Sequence, residues 1–291
     1  MVARVMSGYS KGPRGLIVFD AAEAREIGRF EVGPVVPETL WIGPVAGHPL
    51  PRIIFGSWGV ANGRIGADGS QDNASYVWCL DHRGQLLWRR GPFASGGFFN
   101  ADIVVPGARQ DHRRYVVVSL REHGFQEWEG RMGRIEALRV SDGATVPELT
   151  RDFGEPVRVI AAADFTGEGR HDILVLQEVV AERRYRLRIL RLTDGFPDTA
   201  VGDFGERAPS FITAADIDHD GRAEVLAASG DELHVLDPAL RPRAVWRRPG
   251  GMSAPIRRVF VAPLGRRQRP CLVVVSGDTR MTARVDVLEI R

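Results

Sequence analysis

The 291-residue chain is poor in cysteine, almost without lysine, and has no long apolar run. Each shortage excludes something. Cys79 and Cys271 lie in apolar stretches, Val77 to Leu80 and Leu272 to Val275, where a thiol behaves as a small hydrophobe. Two cysteines do not make a disulfide framework. No segment approaches the roughly 20 apolar residues of a spanning helix, so no membrane insertion is expected. The opening Met1-Val-Ala-Arg-Val-Met6-Ser lacks the apolar core of a secretory signal. The expected location is therefore cytoplasmic as the chain stands, and secreted or surface-exposed if an upstream segment precedes it. Lys11 is the only lysine, so arginine carries nearly all the positive charge, and the net charge is +2. The arginines are interleaved with Asp and Glu, which removes any general pull toward nucleic-acid phosphate.

Signatures of chemistry are equally scarce. The seven histidines are scattered, with no pair at zinc spacing. Gly8-Tyr-Ser-Lys-Gly-Pro13 lacks the spacing of a phosphate-binding loop. No Gly-x-Ser-x-Gly marks a nucleophile. Helical periodicity is absent from every long window, while Gly and Pro punctuate the chain throughout.

What the chain does have is self-similarity. Gly15-Leu-Ile-Val-Phe-Asp20 recurs as Tyr76 to Asp81, Arg134 to Val140, Arg186 to Leu192, Glu232 to Asp237 and Arg284 to Ile290. The spacing of roughly 45 to 60 residues is near the period of propeller blades. A turn and a further short strand follow most copies: Glu26 to Phe30, Leu86 to Arg89, Val146 to Thr150 and Ala244 to Arg247. After Leu192 this fourth strand looks weak, because Gly195-Phe-Pro197 interrupts it. Two strands precede each copy. The inner ones are Leu40 to Val45, Phe98 to Val104, Val157 to Ala163, Phe211 to Ala215 and Arg257 to Ala262. Four short antiparallel strands per repeat make a blade of a β-propeller. The expected fold is all-β: one closed β-propeller domain over residues 1–291, with six blades preferred and five or seven open. Residues 1–35 supply outer strands only and are expected to complete the terminal blade, since a propeller must protect its end edges.

Two nine-residue loops carry the most specific pattern. In Asp216-Ile-Asp218-His-Asp220-Gly221-Arg222-Ala-Glu224, acids stand at positions 1, 3, 5 and 9 and a glycine permits the bend. The carbonyl of Arg222 offers a further oxygen. In Asp164-Phe-Thr166-Gly-Glu168-Gly-Arg170-His-Asp172 the spacing persists with fewer carboxylates, Arg170 taking the place of Arg222. Hard cations take six to eight oxygen ligands, so both loops are candidate calcium turns with a structural role. The alternative is that Asp and Gly simply make good hairpin turns.

With their alanine lead-ins and apolar exits, these loops resemble the FG-GAP/VCBS repeat family, propellers typified by integrin α-subunit heads and many bacterial surface proteins. Outer strands such as Leu-Leu-Trp88-Arg-Arg also resemble PQQ-type repeats. The resemblance implies bacterial, calcium-stabilised propeller blades.

Loop lengths are unequal. The second-to-third connection is long at Ser57 to Ser75, with Trp58, Asn62 and Asn73, and at Arg121 to Gly133, with Phe125, Trp128 and Arg131. Within a blade this connection and the calcium-type hairpin lie at opposite ends. Aromatics with arginine are enriched at binding hot spots, and loops on rigid scaffolds carry function. The expectation is a monomeric, non-catalytic interaction module that binds a protein or glycan through these loops. The alternative is a propeller enzyme, a lyase or hydrolase acting on polysaccharide.

Overall fold

The computed structural model describes residues 1–5, 12–37, 40–93, 99–107, 114–122, 133–248, 255–264, 269–277 and 283–289. Two compact units divide the chain, one of residues 1–159 with 193–196, the other of 160–192 with 197–291. Among the described residues the structure is all-β, apart from a single 3-10 turn at Val180–Glu182. Among these residues no helix is long and apolar enough to cross a membrane.

The first unit holds three sheets. Strands β1 (Val2–Val5), β2 (Gly15–Asp20) and β3 (Arg25–Glu31) form one. Strands β4 (Leu40–Val45), β5 (His48–Phe55), β6 (Val77–Leu80) and β7 (Leu86–Arg90) form the second. The third is β8 (Phe99–Val104), β9 (Tyr115–Glu122), β10 (Gly133–Arg139) and β11 (Thr145–Asp152). The remaining sheets are β12 (Val157–Ala163), β13 (Asp172–Val179), β14 (Arg184–Leu190) and β15 (Asp198–Gly205); then β16 (Phe211–Ala215), β17 (Glu224–Ser229), β18 (Glu232–Leu236) and β19 (Pro242–Arg247); then β20 (Ile256–Leu264), β21 (Arg269–Gly277) and β22 (Ala283–Glu289). Each of the six is an antiparallel meander in chain order, the blade of a β-propeller.

Burial explains why the repeats read as they do. Middle strands are covered on both faces: β6 is buried at every residue, and β17 at all but its last. Such strands appear in the sequence around apolar runs, Val77 to Leu80 and Val225 to Ala228. The outermost strands are wet, as in β19, where only Trp246 is partly covered. Each fully buried Val, Leu or Ile side chain contributes about 1.5–3 kcal/mol, so the middle strands hold the blades together. Trp88 is the exception on exposed β7. It is buried, donates its indole N–H to the Val140 carbonyl at 2.8 Å, and so ties the second sheet to the third.

Two elements differ from expectation. β1 was not anticipated, since Val-Ala-Arg-Val is too short to show a period. It pairs with β2 from Val2↔Val18 to Val5↔Gly15. The fourth strand after Leu192 is also not weak: β15 has eight residues. The Gly195-Phe-Pro197 interruption is an excursion made before the strand begins. Gly195 N–H donates to the Glu148 carbonyl at 2.8 Å, the Arg151 guanidinium donates to the Phe196 carbonyl at 2.8 Å, and Phe196 is fully buried.

Candidate functional site

The β16–β17 hairpin pairs down to Ala215↔Glu224, leaving the acidic loop to close the turn. His219 and Gly221 take positive φ, 62° and 88°, which turns the chain sharply. Carboxylate oxygens of Asp216, Asp218 and Glu224 lie within 4.8 Å of one another. Asp216 accepts the Gly221 N–H on Oδ2 at 3.0 Å, while its buried Oδ1 has no hydrogen-bond partner. Glu224 is buried and accepts the Ile217 N–H at 3.1 Å; burial pushes its carboxyl above the ordinary range. Asp220 stands outside this trio and accepts the Arg222 N–H at 2.8 Å.

A cationic side chain from the same blade reaches the trio. Arg243 of β19 places Nη1 2.6 Å from Asp218 and 3.2 Å from Glu224. Its hydrogen bond holds the Asp218 carboxyl below the usual carboxylate range. Three convergent carboxylates with one orphaned buried oxygen fit a hard cation. Asp216, Asp218 and Glu224 would hold it, and the ion would supply charge neutralisation and a rigid hairpin. Arg243 already supplies part of the first.

The β12–β13 turn is arranged differently. Asp164 closes it with its own backbone: Oδ1 accepts N–H groups of Thr166 and Gly167 at 3.1 and 2.8 Å, and Oδ2 that of Gly169 at 2.6 Å. Burial pushes the Asp164 carboxyl up, but these donors outweigh it and hold it low. Glu168 pairs with Arg170 at the surface. Asp172 is buried, and burial raises its pKa against the pull of Arg191 and Arg170. Among the described residues only the Asp216 trio gathers as a metal-type group. The structure does bring the two turns together, since Ala223 N–H donates to the Asp164 carbonyl at 2.7 Å.

The long loop from Ser57 to Ser75 is a built element braced by two of its own acids, one buried and one half-buried. Asp72 is 2% exposed. It accepts the N–H groups of Asn62 and Gly63, each at 3.0 Å, and pairs with fully buried Arg14 at 3.4 Å. Arg14 also donates to the Gly33 carbonyl at 2.7 Å. Asp68 accepts the Trp78 indole N–H at 2.8 Å and the Ser70 N–H at 3.0 Å. Ser70 in turn accepts the Gly33 N–H at 2.9 Å. Above this frame a cleft of about 460 Å³ opens, lined by Ala61, Gly63, Arg64, Ile65, Gln71 and Asn73 among others. Its volume is within the range of roughly 300–1,000 Å³ common for ligand sites. Ile65 stands 65% exposed at its edge.

The aromatic candidate Trp58 is used inside the fold. Its backbone pairs with Val35 on one side and Asn100 on the other, and its indole N–H donates to Asp102 at 3.4 Å. Asn62 and Asn73 are partly buried in the loop, beside or within the cleft. Phe125, Trp128 and Arg131 lie outside the described residues. The inner-strand acid Asp102 is buried between Trp58 and Arg121, whose Nε is 3.4 Å away. Nearby, burial pulls the Arg158 guanidinium down, with Asp102 opposing and Arg121 reinforcing.

Sequence reasoning passed over Arg14, Ile65 and Arg243, and gave Asp68 only as a member of the long loop. Arg14 gives no local signal, because its partner is 58 residues away. Asp68 and Ile65 stood inside a recognised loop, but only tertiary placement separates a brace from a tip. Arg243 does carry a faint signal, as a charge on a strand two residues after the 238–241 turn.

No family model matches the chain, nor does any curated protein. Solved structures do match. BBS1N, in a crystal structure in complex with ARL6DN and soaked with lead, has a TM-score of 0.54 at 10% identity, covering 100% of this chain and 78% of that one. A protein of unknown function from Bacteroides caccae has a TM-score of 0.47 at 13% identity, covering 94% and 81%. The Dos1 propeller has 0.45 at 12%, covering 94% and 72%. At such identities the likeness is one of fold, and the BBS1N match puts the six sheets among the β-propellers.

Proposed function

We propose that the chain is a non-catalytic β-propeller interaction module that binds a protein or glycan through the Ser57–Ser75 loop, with calcium as a structural clip at Asp216, Asp218 and Glu224. The observation that carries the reading is the loop's construction. Buried Asp72 and half-buried Asp68 fix a long segment from beneath, while Ile65 and the cleft beside it face outward. A rigid loop that presents an apolar tip loses little entropy on binding. Trp58 serves as a brace, so the contact surface centres on Ile65, Asn62 and Asn73. BBS1N, of similar fold, is found in complex with ARL6DN, which supports a partner-carrying role for this scaffold. The FG-GAP-like calcium reading draws on the converging trio of Asp216, Asp218 and Glu224.

Affinity capture with photo-crosslinkers at position 65 tests the proposal, alongside a glycan array. One saturable partner, lost in Ile65→Asp while the melting temperature holds, is the expected result. A partner retained by Ile65→Asp, or crosslinks elsewhere, would overturn the assignment to this loop.

A further inference from the structure

A second cleft, of about 500 Å³, lies between the second and third sheets of the first unit. Arg90, Pro92 and Phe93, at the end of β7 and just beyond it, form one wall. Arg134, Glu136 and Thr150, from β10 and β11, belong to the other. Three observations mark it as more than a gap between blades.

The first is Glu136. It is 4% exposed, its Oε2 is 3.3 Å from Arg134, and its buried Oε1 has no hydrogen-bond partner. A buried polar atom without a partner is rare in folded proteins and costly to keep. The second is Thr150, paired with Glu136 across the strands, whose buried hydroxyl is likewise unpartnered. The third is the strand itself. Glu136 faces Thr150 but Ala137 faces Val146, so Pro147, Glu148 and Leu149 bulge out of β11. The bulge is held in place by the Gly195 N–H to Glu148 carbonyl bond. Bulges re-aim side chains and recur beside functional sites.

The geometry points to a neutral saccharide unit as the ligand of this cleft, held through its hydroxyls by Glu136, Thr150 and the two arginines. The unpartnered carboxylate oxygen requires a donor. Arg90, which donates to the Thr145 hydroxyl at 3.1 Å, and Arg134, which pairs with Glu136, are both exposed and carry further N–H donors that a ligand acceptor can meet. A hydroxyl is both, so neighbouring hydroxyls of one sugar ring answer carboxylate and guanidinium together, while Phe93 and Pro92 offer an apolar wall to its C–H face. A simple anion would meet the Glu136 carboxylate, and a simple cation would meet two guanidinium groups. A peptide adding as a strand to the outer edge of β11 would lose its ladder at the bulge, where Pro147 has no N–H to give. The inference stands on residues other than those of the Ser57–Ser75 loop and does not depend on that loop's role.

Saturation-transfer NMR with glucose, galactose and mannose at millimolar concentration tests it, with inorganic phosphate and agmatine titrated in parallel by chemical shift. Transfer to at least one sugar is expected, weakened tenfold or more in Glu136→Leu and in Thr150→Val, with both variants melting as cooperatively as wild type. Thr150→Val keeps the test decisive should Glu136→Leu misfold. No transfer to any of the sugars, transfer unchanged in the folded variants, or shifts at Glu136 with phosphate or agmatine alone would each overturn the proposal. Ile65→Asp should leave the sugar signal intact, which separates failure here from failure of the loop assignment.

Discussion

Asp72 shows how one buried carboxylate can hold a loop of this length. Its two oxygens collect two backbone N–H groups and the Arg14 guanidinium, and the ion pair itself is out of water. Removing one partner of a buried ion pair strands the other, at a cost of about 3–5 kcal/mol. Asp72→Ala should therefore lose stability of that order in chemical denaturation. Gly56 is a second decisive residue. A Cβ there would stand 1.9 Å from the Ala101 carbonyl oxygen, where the second sheet approaches the third. Gly56→Ala should cost about 1–3 kcal/mol or more through the forced backbone shift. Glu136 gives a pH-dependent prediction. Burial raises its folded pKa above the ordinary 4.5, against Arg134, Arg90 and the Thr145 hydroxyl. A raised pKa gives stability that is fully present below the unfolded value and lost as pH rises through the folded one. Glu136→Gln does not titrate, so its stability relative to wild type should improve between about pH 4 and pH 7. A constant difference across that range would contradict the assignment.

At the scale of elements, the two acidic hairpins look alike in sequence and differ in structure. In the first, Asp164 is consumed by three backbone donors. In the second, the trio stays convergent and shares Arg243. Calcium that binds only the folded form should raise the melting temperature by mass action, equivalent to about 2.7 kcal/mol at a hundredfold excess over Kd. The rise should vanish in Asp218→Ala and persist in Asp164→Ala. Arg243→Ala should melt lower without calcium and gain more from it, since a competing cation is gone. The Asp218 carboxyl is held low by Arg243. Its contribution is therefore present above the ordinary 3.8 and lost as pH falls through the folded value. Arg243→Ala should remove that acid-side loss. The spacing of acids was legible in the sequence, but which acids turn inward was not. That choice is made by backbone donors within the turn and by a strand some twenty residues downstream.

For the molecule as a whole, blades were legible because middle strands such as β6 and β17 are covered on both faces and carry apolar runs, Val77 to Leu80 and Val225 to Ala228. β1 escaped because four residues carry too little pattern, and β15 because the turn before it packs against β11 and breaks the local rhythm. The candidate sites were less legible. Loop length pointed to residues 57–75, and within them the Trp58 indole bonds Asp102 while Ile65 is the exposed tip. The Glu136 cleft depends on a bulge that only strand register reveals. The central claim is that the braced loop is where a partner docks. Hydrogen–deuterium exchange on the full chain, with and without the partner captured at position 65, tests it most directly. Added protection at the amides of residues 61–73, absent in Ile65→Asp, is the predicted result. Protection confined to other segments, with residues 61–73 unchanged, would contradict it.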